Sequence, residues 1–440
     1  EIPLRLVGSE MCIRDSVKYI GLISRGGDKA KVFNLVIDST VNFAGNQYVG
    51  GVAGVFGGEV YNITNHGNMT TVKMQYAGGV LGSLDEGGRI HDCVNYGTMN
   101  SKSNGAGGLV GTAGPKTYIE SCTNHGKIIS GGSTGGVVGS TKGFVNLCKN
   151  YGTVTSTSTS GGGIVGYIWV TDTLSITNCE NFGIVTATSS NCGGIGGSMQ
   201  GEGSIVDCVN HAPITGASSN VGGILGNASS YSIGIKATGC YNTGKITGKT
   251  LGNVSGLFNI TGARAYIADC YNTGDVVCEI ADKGYISGVA NQLGRGYDDE
   301  RSQMIRCYNT GKITSKGSLT CGVVAQANAM TDITDCYNTG EVTGGTYTVA
   351  GVVANCLGAD LNIRRCRNEA NVTGGTNRIG GIVGTSQKYQ IVVEQCVNFG
   401  NVATTCTLKG TTESGSSATG HAIGGLAGAS GGTFIDCYNV

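Results

Sequence analysis

The stretch "CYNTGKITG" (Cys240–Gly248) returns as "CYNTGDVVC" (Cys270–Cys278), "CYNTGKITS" (Cys307–Ser315) and "CYNTGEVTG" (Cys336–Gly344). Aligned on the leading cysteine, the chain holds twelve copies, at Cys93, Cys122, Cys148, Cys179, Cys208, Cys240, Cys270, Cys307, Cys336, Cys366, Cys396 and Cys437. Two earlier copies carry Leu35 and Ile63 in the same slot. A period of about 30 residues that tolerates insertions is the signature of a solenoid.

Each copy follows one template. An apolar residue stands three before the cysteine (Ile90, Ile119, Ile267, Ile333), and Asn stands two after it in every cysteine copy, from Asn95 to Asn439. Gly usually comes four after, and another apolar residue six after (Val154, Ile246, Val342). Between copies runs a second phrase: "GGVLG" from Gly78, "GGLVG" from Gly107, "GGIVG" from Gly162, "GGILG" from Gly222. Short β-branched segments punctuated by Gly and Asn read as strands and turns, and no helical periodicity appears.

Two or three strands per period suit one coil of an all-β, single-chain parallel β-helix, a β-solenoid of about fourteen coils. At roughly 4.8 Å per coil the stack would be a rod on the order of 65 Å long. Cys and the Asn two later share one face of a strand. Leu35 and Ile63 in the cysteine slot make that face the inner one. The cysteine is then a small, apolar, stackable core residue. The Asn can bond the backbone at a corner and its neighbours above and below. The Gly two further on is expected to permit a left-handed turn. Ala212 and Ala370 stand in that slot, so their corners should differ or cost about 1 kcal/mol in strain.

Composition narrows the function classes. The 440 residues include 79 Gly, 3 Pro and 1 Trp, and formal net charge is zero. No basic face therefore argues for nucleic acid. No apolar run approaches the roughly 20 residues of a membrane helix, so membrane insertion is not expected. "MCIRDS" (Met11 to Ser16) back-translates to ATG TGT ATA AGA GAC AG, which looks like the transposon-end adaptor of sequencing libraries. Residues 1–16 are read as that artefact and residues 17–440 as the repeat domain. Both ends read as cut, so a larger parent polypeptide is expected, with any signal peptide lost upstream.

The alternation of "GG-L/V/I-x-G" with "C-x-N-x-G-x-I/V-T-G" resembles the GLUG-motif repeats of bacterial cell-surface and secreted proteins, over roughly Val17 to Val440. The resemblance implies a scaffold and an extracellular or cell-surface location. It transfers no catalytic residue, because such repeats are usually an accessory region.

The residues that carry chemistry elsewhere read blandly here. Parallel Cβ vectors on stacked rungs would strain any bridge between ladder cysteines, so free core thiols are expected. A column of sulfurs is not a tetrahedron, and no C-x-x-C pair occurs, so neither metal nor any other cofactor is expected. His66, His125 and His211 share the slot three after the cysteine, but Tyr96 lies between the first two. They read as corner decoration rather than as a zinc site. Asp298, Asp299 and Glu300, flanked by Arg295 and Arg301, form the densest acidic cluster and read as a solvated loop tip. No H-E-x-x-H or Walker sequence appears.

What remains faces outward. Four consecutive coils carry Tyr241, Tyr271, Tyr308 and Tyr337 after the cysteine, and the column Asp269, Arg306, Asp335 and Arg365, before it, is expected beside them on the same strands. An aromatic strip edged by charges could take a polysaccharide or a host-surface glycan, and these eight residues are the candidate binding set. The leading reading is a non-enzymatic structural and binding module, adhesin-like. A polysaccharide lyase or glycoside hydrolase is the first alternative, by analogy of fold alone. A self-assembling filament is the second, because uncapped coil ends are sheet edges.

Overall fold

A computed structural model describes residues 4–6, 10–11, 18–71, 76–102, 104–170, 174–188, 191–217, 220–228, 234–249, 252–281, 284–294, 301–345, 347–375, 377–386, 389–405 and 422–440. The described residues hold strands and no helix. They form two compact units, Glu1–Ser218 with Ile224–Asn227, and Ser219–Gly223 with Ala228–Val440. Each unit is a stack of parallel β-coils, so the expected β-solenoid is what the chain builds.

A coil contains four or five strands rather than two or three. In the first unit one coil reads Tyr76–Gly78, Leu81–Leu84, Arg89–His91, Val94–Asn95 and Met99–Ser101. Every pairing runs between equivalent strands of successive coils. Ile90 lies between Val60 and Ile119, and Met99 between Met69 and Ile128. In the second unit Ile246, Val276, Ile313, Val342 and Val372 stack in the same way. All of these side chains are buried. The apolar positions three before and six after the cysteine are therefore the walls of one continuous core within each unit.

Strands outnumber the expectation because the chain bends at the cysteine. The preceding residue has a left-handed backbone in all fourteen copies, with Gly239 among them and the others running from Asn34 (φ 55°) and Asn62 (φ 52°) to Asp436 (φ 49°). The Gly four after the cysteine is absent from the positive-φ residues, and so are Ala212 and Ala370. The expectation of a left-handed turn there is corrected: those corners carry no such strain. At the copies that carry Gly the reason is room instead. A Cβ on Gly126 would stand 1.9 Å from Gly97 O and 2.6 Å from the Asn95 amide nitrogen. The second Gly of the GG phrase answers to the same ladder, since a Cβ on Gly108 would meet Asn124 Cγ at 2.4 Å.

The bend also accounts for the cysteine. Its thiol donates to the carbonyl two residues back, at 3.2 Å for Cys93 to His91 O, Cys148 to Asn146 O and Cys270 to Ala268 O. A small apolar side chain with a weak donor fits that site. The ladder thiols from Cys93 to Cys396 are free and buried, Cys437 is free and partly exposed, and Cys192, Cys278, Cys321 and Cys356 are also free and buried. Cys12 and Cys406 lie outside the described residues. Burial pushes the Cys93 and Cys122 thiols well up, and those of Cys192 and Cys356 to about 12.

The asparagines form a hydrogen-bonded file in each unit. In the first, the amide nitrogens of Asn65, Asn95, Asn124, Asn150 and Asn181 each donate to the next Oδ1 at 2.7–2.8 Å. In the second, Asn242 to Asn439 repeat this at 2.7–2.9 Å. Each also donates to the carbonyl two residues on, as Asn95 does to Gly97 O at 2.9 Å. Within the segment read as adaptor, Leu4–Leu6 pairs with Leu35–Ile37 and Glu10–Met11 with Asn42–Phe43. An open sheet edge accepts any extended segment.

Candidate ligand-binding surface

The tyrosine strip is a property of the second unit. Tyr241, Tyr271, Tyr308 and Tyr337 each open a two-residue strand whose other residue is the buried ladder Asn. Alternation therefore turns the rings outward. Parallel register brings them together, Tyr271 facing Tyr241 on one side and Tyr308 on the other. Successive centroids lie 4.7, 4.8 and 4.6 Å apart, with planes within 6°. Arg367 continues the row in the next coil, its guanidinium 4.5 Å from the Tyr337 centroid. Burial, then the neighbouring rings, raises the phenol pKa of Tyr271 and of Tyr308. These hydroxyls stay protonated at neutral pH.

Stacking has a consequence for recognition. Ring faces inside the strip are covered by other rings, so what a ligand meets is a row of edges and phenols.

The charged column closes on itself. Arg306 grips Asp269 through Nε and one terminal nitrogen, both at 2.6 Å, and Arg365 grips Asp335 at 2.7 and 2.9 Å. Those hydrogen bonds hold both carboxyls below their ordinary range. The pairs are exposed. Tyr and charge were expected on the same strands, and this is corrected. Asp269 has φ 55°, and Tyr266–Ala268 ends before it while Tyr271–Asn272 begins after it. The left-handed residue separates the two columns by a bend.

Sequence reasoning passed over two features. In the first unit His66, Tyr96, His125, Tyr151, Phe182 and His211 stack in one row at 4.6–4.9 Å. The histidines are thus separated by rings, in keeping with corner decoration. Testing them only as metal ligands hid the row, although all six share the slot three after the cysteine position. In the second unit Arg301 bridges Asp332 at 2.8 Å and Asp360 at 2.6 Å, and Asn362 adds a bond to Asp332. Burial alone would raise the Asp332 carboxyl, but Arg301 and Asn362 outweigh it and its pKa is lowered. Asp298, Asp299, Glu300 and Arg295 lie outside the described residues. Among the described residues no three His, Cys, Asp or Glu side chains converge as a metal site would require.

No protein-family model matches the chain, and no curated protein does. Among solved structures it is similar to a crystal structure described as "a putative immunoglobulin A1 protease from Bacteroides ovatus". Identity is 17% and the TM-score 0.39, over 57% of this chain and 78% of that one. At that score the likeness carries no argument about this chain.

Proposed function

We propose that the chain is a structural and binding module of a bacterial surface or secreted protein, adhesin-like, whose outward tyrosine strip holds a polysaccharide or host-surface glycan. The location rests on the resemblance to GLUG-motif repeats. The single observation that carries the binding reading is the unbroken row from Tyr241 to Tyr337, continued by Arg367. The four tyrosines are partly exposed, and a contiguous aromatic patch at the surface can mark an interaction site. A row of phenols repeating once per coil offers hydrogen bonds in register to a ligand that is itself a repeat of hydroxyl-bearing rings. Arg367, paired with Glu369 at 2.6 Å, closes one end of the row. Ring edges and phenols make the contacts, because neighbouring tyrosines cover the faces.

The test is a glycan array, followed by polysaccharide pull-down with wild type and a Tyr271→Ala, Tyr308→Ala double variant. Removing the two central rings should weaken capture about tenfold or more while the β-sheet circular dichroism persists. Undiminished capture by the folded double variant would mean that the strip is a structural ladder and the ligand sits elsewhere.

A further inference from the structure

The first unit contains an irregularity that the repeat does not require. Its strand Val110–Glu120 pairs with Val138–Asn146 through two register shifts, between Ala113 and Pro115 and between Pro115 and Tyr118. Lys116, beside them, has φ 54°. Bulges re-aim side chains and concentrate next to functional sites. Here they border a groove of about 470 Å³.

Two columns of side chains shape that groove. In one, Tyr19, Tyr48 and Tyr76 stack at 5.7 and 5.9 Å, then give way to Gly105 and Ser133 in the next coils. In the other, the hydroxyl residues Ser83, Thr112 and Ser140 are aligned, and the next residue in register is Tyr167. One aromatic wall therefore ends where the other has not begun. The gap spans the three coil steps from Tyr76 to Tyr167, roughly 14 Å at strand spacing. Its floor is Thr112 bonded to Ser140 at 3.0 Å. Tyr167 is fixed by a 2.6 Å hydrogen bond to Gln200, and Trp169, the chain's single tryptophan, shares its strand. Trp169 is 45% exposed. Lys142 holds its ammonium 5.6 Å from the Trp169 ring and, among the described residues, is the sole charged one lining the groove.

We infer that this groove is a second binding site, for an acidic saccharide of two or three rings. Aromatic rings that are not fully stacked can take the apolar face of a sugar, hydroxyls on the floor can exchange hydrogen bonds with its own, and one cation without a lining anion selects a carboxylate. The site is separate from the tyrosine strip of the second unit, so either can fail without the other.

The single tryptophan makes the test direct. Trp169 fluorescence is titrated with a galacturonic acid trimer and, in parallel, with a neutral glucose trimer. The acidic trimer should give a saturable change and bind several-fold tighter than the neutral one. Lys142→Ala, at an exposed position, should fold normally and weaken acidic binding by about fivefold while sparing neutral binding. Trp169→Ala, followed by calorimetry, should weaken both by about tenfold. No fluorescence change with either trimer, equal affinity for both, or indifference to Lys142→Ala would overturn the inference.

Discussion

Asn272 illustrates how much one side chain holds together in this fold. Its amide nitrogen donates to Gly274 O at 2.7 Å and to Asn309 Oδ1 at 2.8 Å, while its Oδ1 accepts from Asn242 at 2.7 Å. Asn272→Ala deletes all three bonds and leaves buried partners unmet. The expected loss is about 3 kcal/mol, read as a lower urea midpoint. The residue before each cysteine invites the opposite change. Leu147 is left-handed (φ 53°) and half exposed, a conformation that strains leucine more than asparagine. Leu147→Asn should raise stability by about 0.5–1 kcal/mol, measured the same way. The inward pair of Cys and Asn was legible because Leu35 and Ile63 betray the slot. The bend was not, because an αL residue and an outward strand residue look alike in a spacing argument. Its trace was nevertheless present: eight of the fourteen bend residues are Asn or Asp, the residues that tolerate αL best.

At the scale of elements, stacking converts sequence columns into contacts. Asp269, Arg306, Asp335 and Arg365 were readable as alternating charge, and two bidentate ion pairs result. Arg306→Glu would place three acids on consecutive coils and remove one pair. The melting temperature should fall at low ionic strength, and the difference should shrink as salt screens the surface. An unchanged melting temperature at low salt would contradict the register. Four or five strands per coil were not legible, because the residues that end them look like strand formers: Arg306 and Arg365 occupy bends without any turn signature. The aromatic groove escaped for a different reason. Tyr76 and Tyr167 lie in different columns, three coils apart, so no spacing within a single column points to the gap between them.

For the whole molecule, burial opposes ionisation of the core thiols. Burial raises the thiol pKa of Cys93, Cys122, Cys192, Cys278 and Cys356, and the phenol pKa of Tyr271 and Tyr308. These groups are neutral in both folded and unfolded chains below about pH 8, and their contribution is intact there. Above the ordinary thiol and phenol values the unfolded chain ionises first and the folded chain resists, so stability is lost as pH rises. Melting temperatures measured between pH 8 and 11 should decline steadily. A flat profile would mean that the thiols and rings are not held in the interior and stacked rows described above. The central claim is that the repeated phrase spells a core of buried, reduced cysteines, and thiol titration tests it most directly. In native buffer the eleven buried ladder thiols from Cys93 to Cys396 should stay silent, and in guanidinium without reductant all of them should react. Reaction of most thiols without denaturant, or of none after it, would contradict the account.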